Sequence, residues 1–192
     1  MPVRRLEQVK PDIIFSAMDR YFCRLIAAIF TATILCFLAG CQNQPAWSTY
    51  LNKRFGYSID YPRGWAVSEP FQNQQMVIIK SPDERDTVSV LANDSKGWAL
   101  DQHVNNYVYL TQQGSFSYKL VSDENVKIQD IPARELEVVF QSQKDSPILT
   151  VRELYVINRG YFYLVRFSTR LADLSSLSAV YQHIFSSFKF TG

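Results

Sequence analysis

Thiols are scarce in this chain and unevenly placed. Its three cysteines, Cys23, Cys36 and Cys41, all fall within the first 41 of 192 residues. The remainder therefore has no disulfide, no cysteine nucleophile and no cysteine-built zinc site. Histidine is rarer still, with only His103 and His183. Neither has a second histidine four residues on, so a metal or base role would need distant carboxylates to converge on it. The motifs G-x-G-x-x-G, the P-loop, H-E-x-x-H and G-x-S-x-G are all missing. The six glycines after Cys41 fall at turns or at the terminus rather than in a phosphate-cradling run.

Excess charge of either sign is also lacking. The formal net charge is +2, and residues 1–40 carry all of it, with five basic and three acidic side chains. Fifteen of each sign remain from Cys41 onward, interspersed along the chain. A neutral, mixed surface has no electrostatic footprint for nucleic acid. What is abundant is apolar material: 47% hydrophobic and 14% aromatic residues, ample for a packed core.

The amino-terminal segment reads as an export signal. Arg20 and Arg24 precede the apolar run Leu25–Ala39, and small residues follow. This run is shorter than the roughly 20 apolar residues a membrane-spanning helix needs. It ends in Leu38-Ala39-Gly40-Cys41, which resembles the bacterial lipobox. That resemblance implies cleavage before Cys41 and acylation of its thiol. Each buried CH₂ contributes about 0.8 kcal/mol, so two or three acyl chains anchor firmly where one does not. The expected organisation is a signal peptide over 1–40, a lipid-anchored tether over 41–48 and one domain over 49–192. Met18 offers an alternative start with a conventional short basic region. Gln42 is not the aspartate that retains many lipoproteins at the inner membrane in some bacteria.

Within the domain the hydrophobic period alternates between strand and helix. Tyr57, Ile59 and Tyr61 share a strand face until Pro62-Arg63-Gly64 breaks it, and a short strand begins at Trp65. Met76–Lys80 and Thr87–Asn93 form a predicted hairpin around Ser81–Asp86. Leu100, Val104 and Val108 mark a helix over 100–113, stopped at Gly114. Strands follow over 134–141 and 149–157. Asn158-Arg159-Gly160 makes a turn, and Tyr161, Tyr163, Val165 and Phe167 alternate inward beyond it. A last helix is predicted over 172–188, with Leu174, Leu177, Tyr181, Ile184, Phe185 and Phe188 as its buried stripe. The expected fold class is α+β: a central, mostly antiparallel sheet flanked by helices in an α/β/α sandwich.

Three groups of residues carry candidate chemistry. Asp83, Glu84 and Asp86 cluster in a turn and are the candidate metal ligands, calcium being the hard cation that such oxygens suit. They lack EF-hand spacing, and Lys80 and Arg85 lie among them, so a solvated turn is the plainer account. Ser186 and Lys189 match S-x-x-K, but its S-D-N and K-T-G companions are absent. Trp47, Tyr50, Trp65, Trp98, Tyr107 and Tyr109 could line a groove for a partner or a glycan. Residues at i and i+2 diverge around a helix, so Tyr107 and Tyr109 cannot both face the core. Trp65, Tyr107 and Tyr109 are the candidate partner contacts.

The segment Phe55-Gly-Tyr-Ser-Ile-Asp-Tyr-Pro-Arg-Gly-Trp65 resembles the opening of PsbP-like domains. Tyr161-Phe-Tyr-Leu-Val-Arg-Phe167 and Ile184-Phe-Ser-Ser-Phe-Lys189 fit the close of that family. The resemblance spans about residues 50–190. It implies an antiparallel sheet flanked by helices. It also implies kinship with extrinsic photosystem II subunits, which act on the lumenal side of the thylakoid and help to retain calcium and chloride. Cyanobacterial members are often lipoproteins, in keeping with Cys41. The long basic arm of the plant subunit is missing, and no proposed metal ligand matches residue by residue. The expectation is a non-enzymatic, membrane-tethered accessory lipoprotein of photosystem II. The alternative is an envelope lipoprotein of the same fold that binds a ligand or protein partner unrelated to photosynthesis. A serine hydrolase using Ser186 is the remote third reading.

Overall fold

The computed structural model describes residues 46–191. The leader and Cys41 lie outside the described residues, so the expected signal peptide and lipid site have no structural account. The strands are β1 (Trp47–Asn52), β2 (Tyr57–Pro62), β3 (Ala66–Ser68), β4 (Met76–Lys80) and β5 (Thr87–Asp94), followed by helix α1 (Leu100–Gln113). Then come β6 (Ser117–Ile128), β7 (Ile131–Gln141), β8 (Leu149–Asn158), β9 (Tyr161–Arg170), a 3₁₀ turn at Leu171–Asp173, helix α2 (Ser178–Ser187) and β10 (Lys189–Phe190).

Two sheets form: β1-β2-β10, and a seven-stranded sheet ordered β3-β4-β5-β9-β8-β7-β6. Every pairing is antiparallel. Alternation along β9 splits its side chains between two cores. Tyr163, Val165 and Phe167 join Val77, Val88 and Val90 in the larger core, beneath the small sheet and Tyr181, Ile184 and Phe185 of α2. Phe162 and Leu164 face the other way, onto Val104 of α1, Leu136 and Tyr155. The large sheet thus has α1 on one face, and α2 with the small sheet on the other. This is the α+β layering expected, with a second small sheet added.

Several elements differ from the periodicity reading. Tyr161 is 40% exposed, whereas Phe162 and Leu164 are buried. The reason is that β9 is central and covered on both faces, so both of its parities are apolar. The last helix begins at Ser178, six residues later than expected from 172. Leu174 and Leu177 still pack on the core, but from irregular turns. Trp47 and Ser48, expected to precede the domain, belong to β1. Gly114 ends α1 with φ −88, in the ordinary right-handed half of the map, and its N–H donates to the Leu110 carbonyl at 3.1 Å. Periodicity assigned no element to 117–128, yet this stretch is edge strand β6, with a bulge between Leu120 and Ser122.

Candidate binding cleft

Between the first half of α1 and the end of the large sheet lies a cleft of about 530 Å³. That is within the roughly 300–1,000 Å³ of small-molecule sites. Phe162 and Leu91 of adjacent strands provide an apolar floor. His103 of α1 stacks on Phe162, with ring centroids 4.2 Å apart and planes 10° from parallel. Trp98 leans on the outer side of His103, centroid to centroid 5.2 Å, and remains 44% exposed. Trp98, His103 and Phe162 thus form a graded series from open surface to core.

The backbone turn after β5 holds these rings in place. The Ser95 carbonyl accepts the Trp98 N–H at 2.9 Å and also contacts His103 Nε2 at 3.0 Å. A carbonyl only accepts, so Nε2 donates in this contact. Ser95 is itself buried, and its N–H donates to the Gly160 carbonyl at 2.8 Å. The turn passes through left-handed residues Lys96 (φ 51) and Gly97 (φ 73). Asp94 Oδ1 braces it by accepting the Lys96 N–H at 2.7 Å. At the start of α1, Gln102 Oε1 accepts the Ala99 N–H at 2.8 Å. Gln75, Asn93 and Asn106 supply neutral amides to the walls, while Asp94 and Lys96 place opposite charges on the rim.

Tyr107 closes the inner end. Arg166 lies over its ring at 5.2 Å, and Tyr155 meets its edge at 5.9 Å. Burial raises the pKa of Tyr107, opposed by the charge of Arg166. Beneath it Glu153, 2% exposed, accepts from Arg166 Nε at 2.8 Å and from the Tyr155 hydroxyl at 2.5 Å. Burial and the adjacent carboxylate both push the Tyr155 hydroxyl upward. Together Glu153, Arg166 and Tyr155 brace the wall behind Tyr107.

The other candidates disperse. Tyr109 is 59% exposed and points away from Tyr107, as their spacing requires. Trp65 packs against the larger core, remote in the fold from α1. Trp47 stacks on His183 at 3.8 Å, and Tyr50 donates to Glu69 at 2.7 Å. The six aromatics therefore do not share one groove: only Trp98 and Tyr107 do. His103 joins them there. Its spacing of one helical turn before Tyr107 is the signal in the sequence that places the two on one face of α1.

Asp83, Glu84 and Asp86 are held apart. Asp83 takes the Ser81 hydroxyl at 2.7 Å and pairs with Arg85, Glu84 pairs with Lys80 at 2.9 Å, and Asp86 takes the Thr169 hydroxyl at 2.7 Å. No group of three His, Cys, Asp or Glu side chains suits a metal among the described residues. Calcium wants six to eight oxygens converging within about 2.3–2.6 Å. The Ser81–Asp86 turn does not fit it. The Ser186 hydroxyl donates to the His183 carbonyl at 3.0 Å, a helix-end bond.

No family model and no curated protein matches the chain. Solved structures do. The solution structure of cyanobacterial PsbP (CyanoP) from Synechocystis sp. PCC 6803 aligns with TM-score 0.60 at 15% identity, covering 79% of this chain and 96% of that one. PA94 of Pseudomonas aeruginosa, a protein of unknown function, aligns with TM-score 0.52 at 16% identity over 73% of this chain and 94% of its own. A Bacteroides thetaiotaomicron VPI-5482 protein gives 0.51 at 13% identity, over 75% of this chain and 48% of its own. At these identities the likeness is one of fold. The chain has the PsbP-like α+β fold, and no helix among the described residues is long and apolar enough to cross a membrane.

Proposed function

We propose that this chain is a non-enzymatic accessory lipoprotein, held outside the cytoplasm by Cys41, that binds a ligand or protein partner through the cleft beside α1. The observation that carries it is the braced Trp98–His103–Phe162 series at the mouth of an open cleft. A fixed aromatic surface beside neutral amides is equipment for recognition. A nucleophile paired with a base is not part of it. Proteins of Pseudomonas aeruginosa and Bacteroides thetaiotaomicron share the fold, and a fold alone does not assign a role, so the broader binding reading comes first.

The second reading is an extrinsic factor for photosystem II assembly or oxygen evolution, at the lumenal face of the thylakoid. It is favoured by the near-complete coverage of CyanoP. Calcium handling would follow only from that family and finds no support in the Ser81–Asp86 turn.

An Asn106→Arg variant fills the cleft mouth from an exposed position on α1. Affinity-tagged parent and variant chains are recovered from detergent-solubilised membranes of the host. The first reading expects a companion, protein or small molecule, retained by the parent and lost from the variant. Equal recovery from both sinks the cleft as the binding surface. Co-migration with photosystem II on native gels selects the second reading, and its absence removes it.

A further inference from the structure

We infer that the cleft beside α1 is a carbohydrate subsite, which takes a neutral glycan by stacking a sugar ring on Trp98 and bonding its hydroxyls to the surrounding amides. This rests on the binding function proposed above and names its ligand class.

Four features select that chemistry. First, Trp98 is nearly half exposed at a cleft mouth although the smaller apolar core, through Phe162, lies one ring away. The axial C–H face of a pyranose is a natural partner for such an indole, because the ring's π face is negative and the sugar's C–H bonds are weakly positive. Second, the walls carry Gln75, Asn93 and Asn106, with the Asp94 carboxylate beside them. The amides present a donor beside an acceptor, and the carboxylate adds acceptors, which suits the paired hydroxyls of a sugar. Third, the rim charges, Asp94 and Lys96, cancel. A phosphorylated or strongly anionic ligand would find no cationic cluster there. An acyl chain would strand the amides in an apolar contact, and each unsatisfied group would count against it.

The fourth feature is preorganisation. The buried Ser95 carbonyl ties both Trp98 and His103, and Asp94 braces the turn between them. A ligand therefore does not have to order Trp98 from a freely rotating loop, which lowers the cost of binding.

The test is a titration of the membrane-extracted chain, in a zwitterionic detergent without a sugar headgroup. The probes are cellotetraose, chitotetraose and maltotetraose, and the readouts are tryptophan fluorescence and calorimetry. Saturable binding of at least one saccharide is expected. Trp98→Ala should weaken it by about tenfold, from loss of the stacking surface. Asn106→Ala should weaken it about three- to tenfold, from loss of one neutral hydrogen bond. Trp65→Phe should leave the affinity unchanged while shifting the fluorescence baseline. Circular dichroism shows whether each variant is folded. No saturable binding up to about 10 mM, a range that still detects Kd values near 1 mM, overturns the inference. So does binding that Trp98→Ala and Asn106→Ala leave intact, or binding of tetraglycine in place of every saccharide. A chain that loses its companion in Asn106→Arg yet binds no saccharide keeps the accessory reading and loses the glycan.

Discussion

Arg166 and Glu153 meet across neighbouring central strands, Glu153 buried and Arg166 still a quarter exposed. Two guanidinium nitrogens of Arg166 bond to Glu153 Oε1, at 2.8 and 2.5 Å, and the other carboxylate oxygen takes the Tyr155 hydroxyl. Burial opposes the charge on Arg166, but Glu153 holds its pKa above the usual value. Such a pair adds little against an apolar substitute, yet is costly to break from one side. Glu153→Ala is expected to lower stability by about 3 kcal/mol, towards the smaller end of the range because Arg166 keeps some access to solvent. Glu153→Leu combined with Arg166→Met should recover most of that loss. Urea unfolding measures both, and equal losses in single and double variants would contradict the account.

The Ser81–Asp86 turn holds two carboxylates with opposite pH behaviour. Burial raises the pKa of Asp86, against the lowering effect of the Thr169 bond. The folded state then binds the proton more tightly than the unfolded one, so stability falls as pH rises from 3.8 through the folded pKa. Asp86→Asn should therefore stabilise at neutral pH and lose that advantage in acid. The Ser81 hydroxyl, with the Arg85 N–H, lowers the pKa of Asp83. Its contribution is present above 3.8 and disappears as pH falls through the lower folded value. Asp83→Asn should be mildly destabilising at neutral pH. Melting temperatures across about pH 2–8 test both signs.

Gly56 turns the chain between β1 and β2 at φ +63, and a Cβ there would meet the Thr191 carbonyl at 3.2 Å. The same glycine accepts the Thr191 N–H at 2.8 Å, tying down the end of β10. Gly56→Ala should cost about 1–2 kcal/mol from the left-handed backbone alone. Faster hydrogen exchange at the Thr191 amide would report the loosened contact. Unchanged exchange and stability would show that the turn relaxes freely.

Membrane attachment is expected to depend on one thiol. Cys41→Ala should leave an unprocessed precursor without acyl chains, while the parent partitions with detergent-phase lipoproteins. If the variant is processed and stays on membranes as the parent does, the lipoprotein reading fails.

The cleft shows how far residue order carries. The α1 stripe, its span 100–113 and the divergence of Tyr107 from Tyr109 follow from helical period alone, because that period is local. Strand β6 was missed because an edge strand facing water needs no apolar alternation; Ser122, Asp123, Glu124 and Asn125 hide it. The burial of Phe162 was missed for the converse reason. A strand covered on both faces loses the alternation that identifies which side chain points where.

By itself, residue order distinguished a basic, cysteine-bearing amino-terminal segment from a neutral, thiol-free remainder, with Cys41 as the expected boundary. It also indicated which stretches have helical or strand period, since composition and period are properties of the chain. Which distant residues meet was decided by tertiary structure alone. His103, with Trp98 against it, reaches Phe162, some 60 positions on, only because β5 pairs with β9 and α1 folds back over the sheet. Period assigns a side chain to a face, whereas the packing of one face on another chooses its neighbours. The cleft lies at that second level.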